Sequence, residues 1–142
     1  MKNQKKKIIV VLCSILLIGV SWFLDKDRYI KDNIVTIDQA DGIQIVTEEK
    51  AVSYPFDEKL IDLVSYSGFV VKVDNFFVEL FSPYSNKLTK MDMSIRYNKS
   101  ESTIATADVY QSNDKPEEYI LYMNNVYWTT SSKLVDLLEL IE

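Results

Sequence analysis

The chain has 142 residues, 47% hydrophobic and 12% aromatic, with three glycines and three prolines, a composition that excludes a disordered polypeptide and leaves room for one domain. Its net charge of −5 is unevenly spread, because setting aside Lys2, Lys5, Lys6 and Lys7 leaves 12 basic against 21 acidic side chains, a net of −9. A domain this acidic is repelled by phosphate backbones and anionic headgroups, which argues against nucleic acid as a partner and against adsorption of the domain itself to anionic lipid.

Residues 1–7 form a basic tip, residues 8–24 are free of charge, and Asp25, Lys26, Asp27 and Arg28 end the apolar run abruptly. A helix over 8–24 spans about 25 Å, enough to cross a bilayer core. Lysines ahead of such a segment hold the amino terminus in the cytoplasm, so the expected arrangement is a single-pass signal anchor in the plasma membrane with an extracytoplasmic carboxyl-terminal domain. Two alternatives use the same residues. Gly19 and Ser21 suit a signal-peptidase cut before Trp22, which would release a secreted protein, although the apolar run continues through Phe23 and Leu24. Acylation of Cys13 fits less well, since Val10, Val11 and Leu12 precede it where a lipobox needs a small residue. Cys13 is the one cysteine, so the exported part forms no internal disulfide and must be held by burial.

Residues 25–33 carry six charges and read as a juxtamembrane stalk, with the folded domain over 34–142. Ile34 to Ile37 and Ile43 to Thr47 are β-branched runs joined by turn formers from Asp38 to Gly42, which predicts a hairpin. Phe56, Leu60, Leu63 and Val64 fall at helical spacing between Pro55 and Gly68, predicting a helix over 56–67. Residues 69–73 and 76–81 read as strands joined by Asp74-Asn75, followed by a loop over 82–88.

Met91, Met93, Ile95 and Tyr97 alternate with Asp92, Ser94 and Arg96, the period of a half-buried strand. A strand over 103–111 follows, and residues 119–123 and 126–130 pair across Asn124-Asn125, a type I′ turn pair. A last helix begins at Ser131 or Ser132 and sets Leu134, Leu137, Leu138 and Ile141 on one face. The expected fold is therefore α+β: one amino-terminal transmembrane helix, then a mainly antiparallel β-meander domain of about eight strands with two helices packed on the sheet.

Catalytic signals are sparse. The chain has no histidine, the commonest general base and metal ligand near neutral pH. Ser131, Ser132 and Lys133 fit a helix cap better than a nucleophile with its base. Asp38 and Asp41-Gly42 lack the spacing of a calcium loop, and Glu48-Glu49 and Glu117-Glu118 are neighbours that point apart on a strand. No catalytic, metal or cofactor residues are assigned. The candidate binding platform is aromatic: Tyr97, Tyr110, Tyr119, Tyr122, Tyr127 and Trp128 all fall in the carboxyl-terminal strands, where rings form either core or a surface for a sugar, a peptidoglycan fragment or a protein.

The lysine-rich start, single apolar segment and small cysteine-free β-rich domain resemble the layout of uncharacterised membrane-anchored extracytoplasmic proteins of low-GC Gram-positive bacteria. That resemblance implies a cell-envelope location and transfers no site residues. The expected role is a membrane-tethered interaction module for a membrane protein or cell-wall component. The alternatives are an envelope hydrolase working without histidine, or a secreted inhibitor or immunity-type factor after cleavage.

Overall fold

The structure, a computed structural model, describes residues 2–55, 70–73, 84–130 and 132–139. Its first element is a single α-helix, α1 (Lys2–Gln39), about 57 Å long at 1.5 Å per residue. Ile8 to Leu12 and Ile15 to Leu17 are each more than half exposed, as expected of a helix made to be covered by something other than its own chain. The one polar hydroxyl in that stretch satisfies itself: Ser14 Oγ donates to the Val10 carbonyl at 2.9 Å. The helix is long and apolar enough to cross a membrane.

α1 does not stop at the charged residues 25–28. The segment 25–33 continues the helix, and Ile34 to Ile37, expected as a strand, form its last turns. A helix already nucleated upstream adds residues at little cost, and the fold gives these residues a surface to meet. Asn33 and Ile37, one turn apart, are buried against the sheet. The predicted hairpin of Ile34–Ile37 with Ile43–Thr47 is therefore absent, and Asp38 to Asp41 close a helix end, with Ala40 N donating to Ile37 O at 3.1 Å.

The seven strands among the described residues build one antiparallel sheet. Its strands are β1 (Gly42–Thr47), β2 (Ala51–Pro55), β3 (Val70–Val73), β4 (Leu88–Lys99), β5 (Ser102–Ser112), β6 (Tyr119–Met123) and β7 (Val126–Thr129). Their order across the sheet is β2-β1-β4-β5-β6-β7-β3. The meander from β4 to β7 is as expected, but β1 pairs with β2 and β4 instead of with residues 34–37. β2 was not foreseen. It is reached through a tight turn in which Thr47 N donates to Lys50 O at 2.8 Å. At the far end of β1, opposite Pro55, Gly42 is closely approached: a Cβ on it would lie 3.0 Å from the Tyr54 carbonyl oxygen, so a larger residue would have to displace that backbone by a few tenths of an ångström. The helix over 56–67 and the strand over 76–81 fall outside the described residues.

Alternation sorts the sheet into two faces. Ile43 and Ile45, Met93, Ile95 and Tyr97, Ala107 and Val109, and Tyr119, Leu121 and Met123 point to one side, where they form the main core. The docked end of α1 and the last helix, α2 (Ser132–Glu139), cover this face, α2 through the fully buried Leu134 and Leu138. The side chain of Leu137, and Ile141, lie outside the described set.

Two hairpins reverse through non-glycine residues at positive φ. Asn124 (45°) and Asn125 (62°) are the pair predicted for a type I′ turn. Ser100 (48°) and Glu101 (70°) adopt the same conformation without residues suited to it. Asp41 holds this second turn from outside: its Oδ2 accepts from Ser100 N at 2.7 Å, and its own N–H donates to Asn98 O at 2.8 Å. Asp41 is thus a structural brace between the end of α1 and the β4–β5 hairpin. Combining Ser100→Asn with Glu101→Gly is expected to raise stability by about 1 kcal/mol, because Asn and Gly enter the left-handed region at lower cost while the Ser100 amide donor is kept. Thermal melting followed by circular dichroism would check this, with a rise of about 4 °C expected.

Candidate functional site

The six aromatic residues singled out from the sequence do not form one surface. Tyr97 (1% exposed) and Tyr119 (4%) lie in the helix-covered core, and Trp128 packs half-buried against it. Tyr110, Tyr122 and Tyr127 occupy the opposite face. The division follows from register: Tyr97 stands opposite Ile43 and Ala105, whereas Tyr110 stands opposite Ile120 and Lys90, and Tyr122 opposite Tyr127. Along each strand successive residues go to opposite sides, and the register decides which of them meet across strands.

The three tyrosines of the second face meet a fourth, Tyr84, from the 3-10 turn Tyr84–Lys87. Ring centroids of Tyr122 and Tyr127 are 4.5 Å apart with planes tilted by 37°. Tyr110 is 6.4 Å from both, and Tyr84 is 5.1 Å from Tyr127, with interplanar angles between 70° and 88°. These are edge-to-face contacts, in which the positive rim of one ring meets the negative face of another. Leu88, Ile120 and Tyr127 are buried beneath, while Tyr84, Tyr110 and Tyr122 are half-buried. The Lys72 ammonium lies 5.6 Å from the Tyr84 ring centroid, within cation–π range.

Polar tips frame the cluster. The Tyr122 hydroxyl donates to Asn125 Oδ1 at 3.3 Å. Burial, and then the carboxylates of Glu118 and Asp114, push the Tyr84 phenol above its ordinary range, so it is a neutral hydrogen-bonding group at physiological pH. Tyr84 escaped sequence reasoning because it sits in the turn-rich stretch after Pro83, with no strand period to mark its side.

A second feature is a concavity of about 370 Å³ where the β1–β2 turn (Glu48, Glu49, Lys50) faces Met91, Asp92 and Met93 of β4. Beside it the β4–β5 register shifts between Lys90 and Ser94, an interruption of the regular pairing. Its rim carries an ion pair. Lys90 Nζ lies 2.9 Å from Asp108 Oδ2, and that hydrogen bond raises the lysine above its ordinary range. A lysine held protonated in this way is the opposite of the depressed amine that a serine nucleophile needs as its base. Among the described residues no three acidic or cysteine side chains are grouped to hold a metal ion. The side chains of Ser131, Ser132 and Lys133 lie outside the described set.

Comparison with known proteins finds no matching family model, no matching curated protein and no matching solved structure.

Proposed function

We propose that the protein is a membrane-tethered, extracytoplasmic binding module that engages a neighbouring membrane protein or envelope component through the face carrying Tyr84, Tyr110 and Tyr122. The observation that carries this reading is the sorting of aromatic residues. One face is covered by helices, and the other presents half-buried tyrosines packed edge-to-face over a buried floor. Rigid aromatic rings with polar tips bury much area at small entropic cost, the property that makes tyrosine common at binding hot spots. Confinement by the apolar helix raises the local concentration of the domain, so a modest face suffices. Lys2, Lys5, Lys6 and Lys7 ahead of the apolar run favour a cytoplasmic amino terminus and an external domain.

The test is capture of partners from intact membranes after cross-linking, comparing the full chain with a Tyr110→Ala/Tyr122→Ala variant. A loss of at least about tenfold is expected, since hot-spot truncations cost 1–2 kcal/mol or more. Equal capture by a folded double variant would remove the tyrosine face from the account. Accessibility of the domain to protease added outside the cells tests the orientation independently.

A further inference from the structure

The part of α1 that meets the sheet is short, and among its described side chains only Asn33 (0% exposed) and Ile37 (7%) are buried. One of these two positions holds an amide. Asn33 Nδ2 donates to the Met123 carbonyl of β6 at 3.0 Å, while Asn33 Oδ1 has no partner among the protein atoms. On the same covered face the Trp128 indole N–H is likewise without a partner. A residue chosen for stability at such a site would be apolar, because a buried amide satisfied at one end carries the desolvation of the other. What the amide does supply is direction. Sliding α1 by one residue would carry Asn33 about 1.5 Å along and 100° around the helix axis and break the bond to Met123, whereas an aliphatic side chain tolerates neighbouring seatings.

We infer that Asn33 is a register lock, a positioning residue that fixes a single seating of α1 on the sheet at some expense of stability. The apolar part of α1 and the sheet are then one body, and any tilt or rotation of the helix along its exposed length is passed directly to the tyrosine face. Among its described side chains, α2 buries Leu134 and Leu138.

The test uses the full chain in detergent micelles, with Cys13→Ser to remove the native thiol and nitroxide labels at Val35→Cys and Glu117→Cys, both exposed positions. Pulsed electron resonance reads the helix-to-sheet distance. With Asn33 present, one narrow peak is expected. Asn33→Leu is expected to keep the melting temperature within a few degrees of the parent or above it, while the distance peak splits or broadens. Asn33→Ala, which demands no extra space, is expected to broaden it as well. A folded Asn33→Leu or Asn33→Ala protein that retains the single narrow peak would overturn the inference. Failure of both variants to fold would also overturn it, in favour of a purely stabilising hydrogen bond.

Discussion

Tyr97→Ala should cost about 4 kcal/mol of folding stability, the loss expected when a large ring is removed from a packed interior and the site cannot collapse. Tyr97 is 1% exposed and sits between Ile43 and Ala105 in the middle of the sheet. Set against a total stability of about 5–15 kcal/mol for a domain, that single change should lower the melting temperature by more than about 10 °C. Tyr110 and Tyr122, by contrast, are only partly buried, so their truncation removes less buried area and is expected to leave the fold intact. Chemical denaturation followed by circular dichroism separates the two groups. If Tyr97→Ala unfolded at the parental midpoint, the division of aromatic residues into core and surface would be wrong.

The second large effect concerns the apolar helix. Combining Leu12→Lys with Leu16→Lys puts two ammonium groups on one side of the segment, at positions 59% and 69% exposed. Each lysine near the centre of a spanning helix costs about 3 kcal/mol of insertion, so the pair should shift partitioning by about four orders of magnitude. The full chain is expected to move from the membrane pellet to the soluble fraction after carbonate extraction. Retention in the pellet would mean that the folded domain, and not the helix, holds the protein to lipid. The acidic balance of the domain argues against that outcome.

Much of the sheet was legible in advance because its signals are local. Met91 to Tyr97 alternate in sequence and in burial, and Asn124-Asn125 adopt the turn their side chains favour. The last helix was readable from Leu134 and Leu138, which one helical turn brings to the same face. β2 was not legible, because Ala51 to Pro55 has only half-buried and exposed residues and takes its place from pairing with β1.

The misreading of residues 34–37 as a strand has a specific cause. Six charges in 25–33 suggested a solvated stalk, and the β-branched run from Ile34 to Ile37 suggested a strand. A helical signal was present, since Ile30, Ile34 and Ile37 stand at i, i+4 and i+7, and all three are at least half-buried. Local propensity and periodicity disagreed, and the sheet settled the conflict by offering these residues a surface.

Linear order fixed the properties that need no partner: an uncharged stretch able to form a spanning helix, the absence of histidine and of any disulfide, the acidic balance, and the alternation within each strand. Which ring ends in the helix-covered core and which on the opposite face, where α1 stops, and that Asn33 meets Met123 across 90 residues were decided only on folding. Each of these depends on the register between segments distant in the chain, and register is a property of paired strands and docked helices, not of any one segment.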